Sequence, residues 1–190
     1  MSLIHNNNFK WYHYRDDFLS QEQCSKLIEN IDEISEKPES RFWSESEIEK
    51  AVRLNDIEVG GELLVDKYWK MFKLANINYN FHITGIQRNC IYGKKYTTDW
   101  TEDEFPHTDF SAGEGKYIDS TTKFTCVTYL NDDMKGGELQ VTNDKIPVKV
   151  GRTIIFPSFA NHKVMQFYNK SRYVLVCFAE GNSFKWNITT

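Results

Sequence analysis

The chain is short of the features that announce several common functions. No basic tract stands out among its 23 lysines and arginines, which 27 aspartates and glutamates outnumber for a net charge of -4. A phosphate-backbone partner needs clustered cations, so no nucleic acid partner is expected. No apolar run approaches the roughly 20 residues that cross a bilayer, so no membrane partner is expected either. The stretch Met1 to Asn8 is polar and lacks the apolar segment of a secretory leader, which makes a cytoplasmic compartment the expectation. Cys24, Cys90, Cys126 and Cys177 are scattered without a C-x-x-C pair, which excludes a zinc knuckle and a disulfide framework. Cys90, Cys126 and Cys177 lie inside apolar runs and read as buried free thiols. Internal repeats, low-complexity segments and a Ser/His/Asp or Cys/His arrangement suited to a nucleophile are also missing.

What is present suits one compact unit. The 190 residues, 15% of them aromatic, are enough to bury a sizeable core without staples. Residues 1–80 read as a helical extension packed on a core of residues 81–190. Ser20 followed by Gln23 is a capping-box pattern, and Leu27, Ile28, Ile31 and Ile34 then recur at helical spacing. A charged loop is expected from Lys37 to Ser46. A second helix is expected from Gly61 to Ala75, where Leu63, Leu64, Tyr68, Met71, Phe72 and Ala75 share a face. Lys10 to Tyr14 reads as a possible first strand. Beyond Asn80 short strands take over: Phe81 to Tyr92, Lys123 to Leu130, Gly137 to Val141, Ile146 to Val150, Thr153 to Phe156 and Tyr173 to Phe178. The expected fold class is mainly β with flanking α-helices, a sandwich or barrel such as the jelly roll.

The chemistry-bearing residues fall among those strands. His107-Thr108-Asp109 sets an imidazole and a carboxylate two residues apart, and on an extended segment both point to one face. H-x-D alone also describes two ordinary surface residues. His162, just past the apolar run Thr153 to Phe156, adds a second imidazole. Two histidines and one carboxylate make the facial triad of non-haem Fe(II) oxygenases, which leaves positions open for a cosubstrate and O₂. Arg172 opens an apolar strand, where a charge needs a partner. A guanidinium grips a carboxylate through two N–H groups and stays charged in an apolar pocket. A bound dicarboxylate is one partner for it, and a strand-edge salt bridge is the alternative. His5 reads as solvated, and His13 and His82 as packing residues. The run Glu102-Asp103-Glu104 reads as a solvated loop face, or as a bias of the pocket mouth towards cations.

Taken together, these residues resemble the prolyl 4-hydroxylase branch of the 2-oxoglutarate oxygenase superfamily over residues 81 to 180. Tyr92-Gly93 followed by His107-Thr108-Asp109 is similar to its Tyr-Gly strand and H-x-D. Phe124 to Asn131, closed by Gly136-Gly137-Glu138-Leu139, resembles its T-x-x-x-Y-L-N and G-G-x-L segments. Gly151 to Phe156, His162-Lys163-Val164 and Arg172-Tyr173 resemble its G-R-x-x-x-F, H-x-V and R-Y motifs.

The resemblance implies a double-stranded β-helix (jelly roll) and an Fe(II)- and 2-oxoglutarate-dependent dioxygenase. It implies that His107, Asp109 and His162 bind Fe(II), and that Arg172 pairs with the distal carboxylate of 2-oxoglutarate beside the Tyr129 hydroxyl. Tyr92 would line the same pocket. No catalytic residue beyond the metal ligands is implied. O₂ would be consumed, 2-oxoglutarate would be decarboxylated to succinate, and ascorbate would serve as reductant. The implied substrate is a prolyl residue in a peptide or protein.

Two departures bear on that substrate. Many prolyl 4-hydroxylases carry Lys where this chain has Arg172. The stretch between Gly93 and His107 is also long, and it carries Trp100 with the acidic run. Lys94 to Phe105 is therefore expected to form a mobile lid, with Tyr96, Trp100, Tyr117 and Trp186 offering rings to a proline-containing chain. A hydroxylase of a free amino acid or another small molecule is the alternative within the enzyme class. Nucleic-acid demethylation is disfavoured by the acid balance and by the lack of a second arginine following Arg172. A non-catalytic jelly-roll binding module would have no use for the triad and Arg172. The oligomeric state is not legible.

Overall fold

The computed structural model describes residues 10–35, 49–97, 103–109 and 121–183. In chain order these form β1 (His13–Arg15), α1 (Gln21–Ser35), β2 (Glu49–Arg53), α2 (Leu64–Asn76), β3 (Ile83–Ile86), β4 (Tyr92–Tyr96) and β5 (Thr122–Tyr129). There follow β6 (Lys135–Gly136), β7 (Leu139–Val141), β8 (Asp144–Ile146), β9 (Thr153–Pro157), β10 (His162–Val164), β11 (Phe167–Tyr168) and β12 (Arg172–Gly181). The charged loop expected from Lys37 to Ser46 lies outside the described residues.

The first helix starts at its capping box. The Gln23 amide donates to Ser20 Oγ at 3.2 Å, and the Ser20 amide donates to Gln23 Oε1 at 2.9 Å. Each bond satisfies a donor that a helix start leaves open. The buried stripe of α1 is Cys24, Leu27, Ile31 and Ser35, and that of α2 is Leu64, Tyr68, Phe72 and Ala75. α2 begins at Leu64 rather than Gly61, because Gly60 and Gly61 hold φ angles of 66° and 79° that a right-handed helix excludes.

The main sheet has seven strands in the order β1-β9-β5-β12-β4-β2, with β3 also paired to β12. A three-stranded sheet (β10-β7-β8) and a two-stranded one (β11-β6) complete the pairing, and every pair is antiparallel. The chain is thus a mixed α/β fold, with three sheets hydrogen-bonded separately among the described residues. The first 80 residues give the main sheet two of its strands as well as both helices. The strand expected from Phe81 to Tyr92 is split, because Arg88 and Asn89 turn the chain with φ of 54° and 47°. β8 ends at Ile146, where Pro147 has no amide to continue the ladder.

All eight residues of β5 are buried, because both faces of the strand are covered. Phe124 and Cys126 join α1 and α2 in one core, with Leu175, Cys177 and Ala179 of β12. Val127 and Tyr129 point the other way and join Val174, Leu139, Phe156 and Phe167 in a second core. All four cysteines are buried free thiols, and burial pushes Cys24 up to about 11.

Gly93 is what lets α1 lie close over the sheet. A Cβ there would stand 2.6 Å from Ile31 Cγ1 and 2.8 Å from Leu54 Cδ1. Gly93→Ala is therefore expected to destabilise the fold by about 1–3 kcal/mol through overpacking, read as a lower urea-unfolding midpoint. Gly85→Ala in β3, where an added Cβ meets nothing within 4 Å, should hold or raise that midpoint. A Gly93→Ala midpoint equal to that of the unaltered chain would remove the close approach from the account.

Candidate metal centre

His162 opens β10 and sits opposite Val141 of β7. The loop bearing His107 is stitched to it by two backbone bonds, His107 N–H to His162 C=O and the reverse, each 2.9 Å. The two rings consequently lie with centroids 4.4 Å apart. His107 Nδ1 is 3.0 Å from the Phe105 carbonyl, and His162 Nδ1 is 3.0 Å from the Ala160 carbonyl. A carbonyl only accepts, so both Nδ1 atoms carry a proton and the Nε2 atoms are the ones turned toward the third residue of the cluster.

Both Nε2 atoms face Asp109. His162 Nε2 is 3.3 Å from Asp109 Oδ2, and His107 Nε2 is 3.9 Å from Oδ1. One ligand atom from each of the three residues falls within 4.8 Å of the others. Burial by itself would raise the Asp109 carboxyl. The His162 hydrogen bond and charge, with the Thr125 hydroxyl, outweigh it and hold the group below the usual carboxylate range. His162 mirrors this: burial lowers it, but Asp109 leaves its imidazole above the ordinary histidine value. Two imidazoles and a carboxylate in one cluster are a donor set that suits Fe(II) with positions left open.

The acidic run beside His107 does more than face solvent. Asp103 accepts from Lys163 Nζ at 2.8 Å and from the Gln166 amide at 3.0 Å. Glu104 accepts from the Val164 amide at 3.1 Å, and its own amide donates to the Val164 carbonyl at 2.8 Å. Both residues thus tie the His107 loop to β10. Of the expected lid, Lys94 to Tyr96 belong to β4, Asp103 and Glu104 are bonded as above, and residues 98–102 lie outside the described residues.

A cavity of about 230 Å³ opens from the three ligands into the space between the main sheet and the three-stranded sheet. Val127, Val174, Val176 and Phe178 line it from one side and Leu139 and Val164 from the other. Arg172, 1% exposed, lies at the end of β12 opposite Tyr96 of β4. Its guanidinium sits 5.3 Å from the Tyr96 ring and 5.4 Å from the Tyr129 ring. Arg172 Nε donates to the Gly137 carbonyl at 3.3 Å, while Nη2 is buried with no hydrogen-bond partner among the described residues. A buried N–H left open in a cation is expensive, and a ligand carboxylate is the group that would satisfy it.

Two neighbours of Arg172 lie behind that end, outside the cavity lining. The Tyr129 hydroxyl accepts from the Leu139 amide at 2.7 Å and donates to the Gly137 carbonyl at 3.3 Å. Burial raises the Tyr129 phenol despite the pull of the Arg172 charge, so it keeps its proton. Gly136 and Gly137 hold φ of 81° and 80°, and a Cβ on Gly136 would meet the Gln166 carbonyl oxygen at 2.2 Å. That turn carries the Gly137 carbonyl to Arg172.

The structure therefore brings His107, Asp109 and His162 together on a cavity that Arg172 also lines, while Tyr129 packs against Arg172 and does not itself line it. Tyr92 lies on the same side of β4 but is not among the cavity-lining residues; Lys94 and Tyr96, further along that strand, are. Their signal was the two-residue period of β4, which aligns Tyr96 with Arg172 only once the β4–β12 register is known. Thr125 escaped sequence reading because a threonine inside a buried strand carries no mark of its partner. His13 packs edge-on against Tyr79, and His82 is exposed. His5, Trp100, Tyr117 and Trp186 lie outside the described residues.

Residues 94–180 match the family model described as the 2OG-Fe(II) oxygenase superfamily. No curated protein matches the chain. A viral collagen prolyl hydroxylase of Paramecium bursaria Chlorella virus-1 superposes with a TM-score of 0.65 at 16% identity, covering 92% of this chain and 97% of that one. A Pseudomonas putida prolyl-4-hydroxylase gives 0.66 at 15% identity, with 91% and 94% covered. A Trichoplax adhaerens prolyl hydroxylase gives 0.65 at 15% identity, with 92% and 85% covered. At these identities the likeness concerns the fold, while the matched family model spans the metal ligands and Arg172. Residues 94–180 thus carry the pattern of the 2OG-Fe(II) oxygenase superfamily around a His-Asp-His cluster, and the fold is similar to those of known prolyl 4-hydroxylases.

Proposed function

We propose that this chain is an Fe(II)- and 2-oxoglutarate-dependent dioxygenase that hydroxylates a prolyl residue in a peptide or protein, on a double-stranded β-helix scaffold. The observation that carries the cosubstrate is Arg172: a buried cation with an open N–H, on the cavity that also holds a His-Asp-His cluster. His107, Asp109 and His162 would hold the iron, and Arg172 with the Tyr129 hydroxyl would hold the distal carboxylate of 2-oxoglutarate. Bound iron and cosubstrate supply C–H oxygenation coupled to decarboxylation of 2-oxoglutarate to succinate, with ascorbate as reductant. The chain itself orients the histidines, through the two Nδ1–carbonyl bonds, and lines the cavity with valine and leucine side chains.

Support for a peptidyl substrate comes from the relatives. One is described as a collagen prolyl hydroxylase, and another was solved with a hypoxia inducible factor peptide fragment. Proline-rich chains are already extended and dock on aromatic surfaces at little ordering cost. Phe105, 88% exposed and two residues from His107, offers such a ring near the metal cluster. A free amino acid or another small molecule is the second reading, favoured by the small cavity volume. Four buried free thiols suit a reducing compartment such as the cytoplasm, and no helix among the described residues is long and apolar enough to cross a membrane.

Three outcomes test this reading. Asp109→Ala should abolish divalent-metal binding and succinate release while the urea-unfolding midpoint stays near that of the unaltered chain. Turnover at full rate in that variant would dismiss the triad. Arg172→Ala should weaken 2-oxoglutarate by an amount on the order of 2–5 kcal/mol, the loss seen when one partner of a desolvated pair is removed, with metal affinity retained. Equal losses of both would point to misfolding instead. Peptides differing only in Pro versus Ala at one position should differ in succinate release and in a product heavier by one oxygen atom. Release that ignores the proline would favour the small-molecule reading.

A further inference from the structure

The three ligands are not held alike. His162 lies on β10, and His107 is bound to it by paired backbone bonds. Asp109 has neither support. Apart from the facing His162 ring, its side chain is held by Thr125 Oγ1, 2.6 Å from Oδ2. Thr125 lies on β5, opposite Phe156 of β9 and Phe178 of β12, in the middle of the main sheet. Ser158 Oγ lies 3.1 Å from Thr125 Oγ1, and the Ser158 amide donates to the Lys123 carbonyl at 3.0 Å.

The proton direction along this chain follows by elimination. An ionised carboxylate only accepts, so the Thr125 hydrogen is committed to Asp109 Oδ2. Thr125 can then only accept from Ser158, whose hydroxyl must donate to it. Thr125 and Ser158 are 2% and 0% exposed, so water does not compete for either bond.

We infer that Thr125 is a positioning residue for the metal, held in turn by Ser158. Its hydroxyl prevents the loop-borne carboxylate from rotating away from the two Nε2 atoms. Oδ2, the oxygen so engaged, also faces His162 Nε2 at 3.3 Å, so the same bond sets the carboxylate against that ring. A side chain that ligates a metal is tuned by whatever hydrogen-bonds its second atom. This rests on the metal site proposed above.

The test is anaerobic titration of the full chain with Co(II), followed by its visible d–d bands, which report ligand number and geometry. Thr125→Val keeps the shape and removes the hydroxyl, and should weaken Co(II) binding roughly 10- to 100-fold with altered bands. Thr125→Ser restores the hydroxyl and should return both affinity and spectrum to near those of the unaltered chain. A merely structural threonine would not show that rescue by serine. Should Thr125→Val fail to fold, Ser158→Ala decides: a several-fold loss of affinity supports the relay, and unchanged binding overturns it. Thr125→Val binding within twofold of the unaltered chain, with the same bands, also overturns it. Failure of the unaltered chain to bind Co(II) would instead dismiss the metal site itself.

Discussion

Val174 opposite Tyr129, and Val176 opposite Val127, set which side chains of β12 and β5 share a face. One face of this pair is capped by α1 and α2, and the other looks into the cavity. Because side chains alternate strictly along a strand, a one-residue slip would exchange every occupant. Arg172 would turn out of the cavity, and Thr125 would leave Asp109. The apolar residues on the helix-facing side, Phe124, Cys126, Leu175 and Cys177, make that slip prohibitive. The packing of the helices thereby holds the register on which the chemistry depends.

The two ends of the cavity are built on different principles. At one end, two imidazoles turn their Nε2 atoms toward a carboxylate that is held below the usual carboxylate range. At the other, a cation is buried between two phenol rings, with a backbone carbonyl at its Nε. Aromatic faces soften the desolvation of a guanidinium without neutralising it. Arg172 thus stays charged and only partly satisfied, the condition in which a carboxylate ligand gains most. The rigidity of the scaffold then sets the distance between the two ends.

Much of the element pattern was legible. The capping box at Ser20 and Gln23, the apolar stripes of α1 and α2, and the β-branched run of β5 each carry their physical signature locally. So did the residues of the His-Asp-His cluster, whose types and order are distinctive. Other features were hidden. Positive φ at Arg88 and Asn89 splits a strand that composition draws as continuous. The two-residue strands β6 and β11 are too short to show a period. The acidic run at Asp103 and Glu104 looked solvated, because partners 60 residues away leave no local trace.

The sequence by itself determined the alternation of helices and strands, the three residues of the His-Asp-His cluster and the presence of a buried arginine on an apolar strand. These follow from residue chemistry and from periods of two and 3.6, which are local properties. Only the tertiary structure decided that Tyr96 and Lys94 line the cavity beside Arg172, that both histidines present Nε2, and that Thr125 holds Asp109. Each of those depends on strand register or on a bond between distant segments. Register is settled by the packing of the whole sheet against its helices, and no single stretch of sequence contains it.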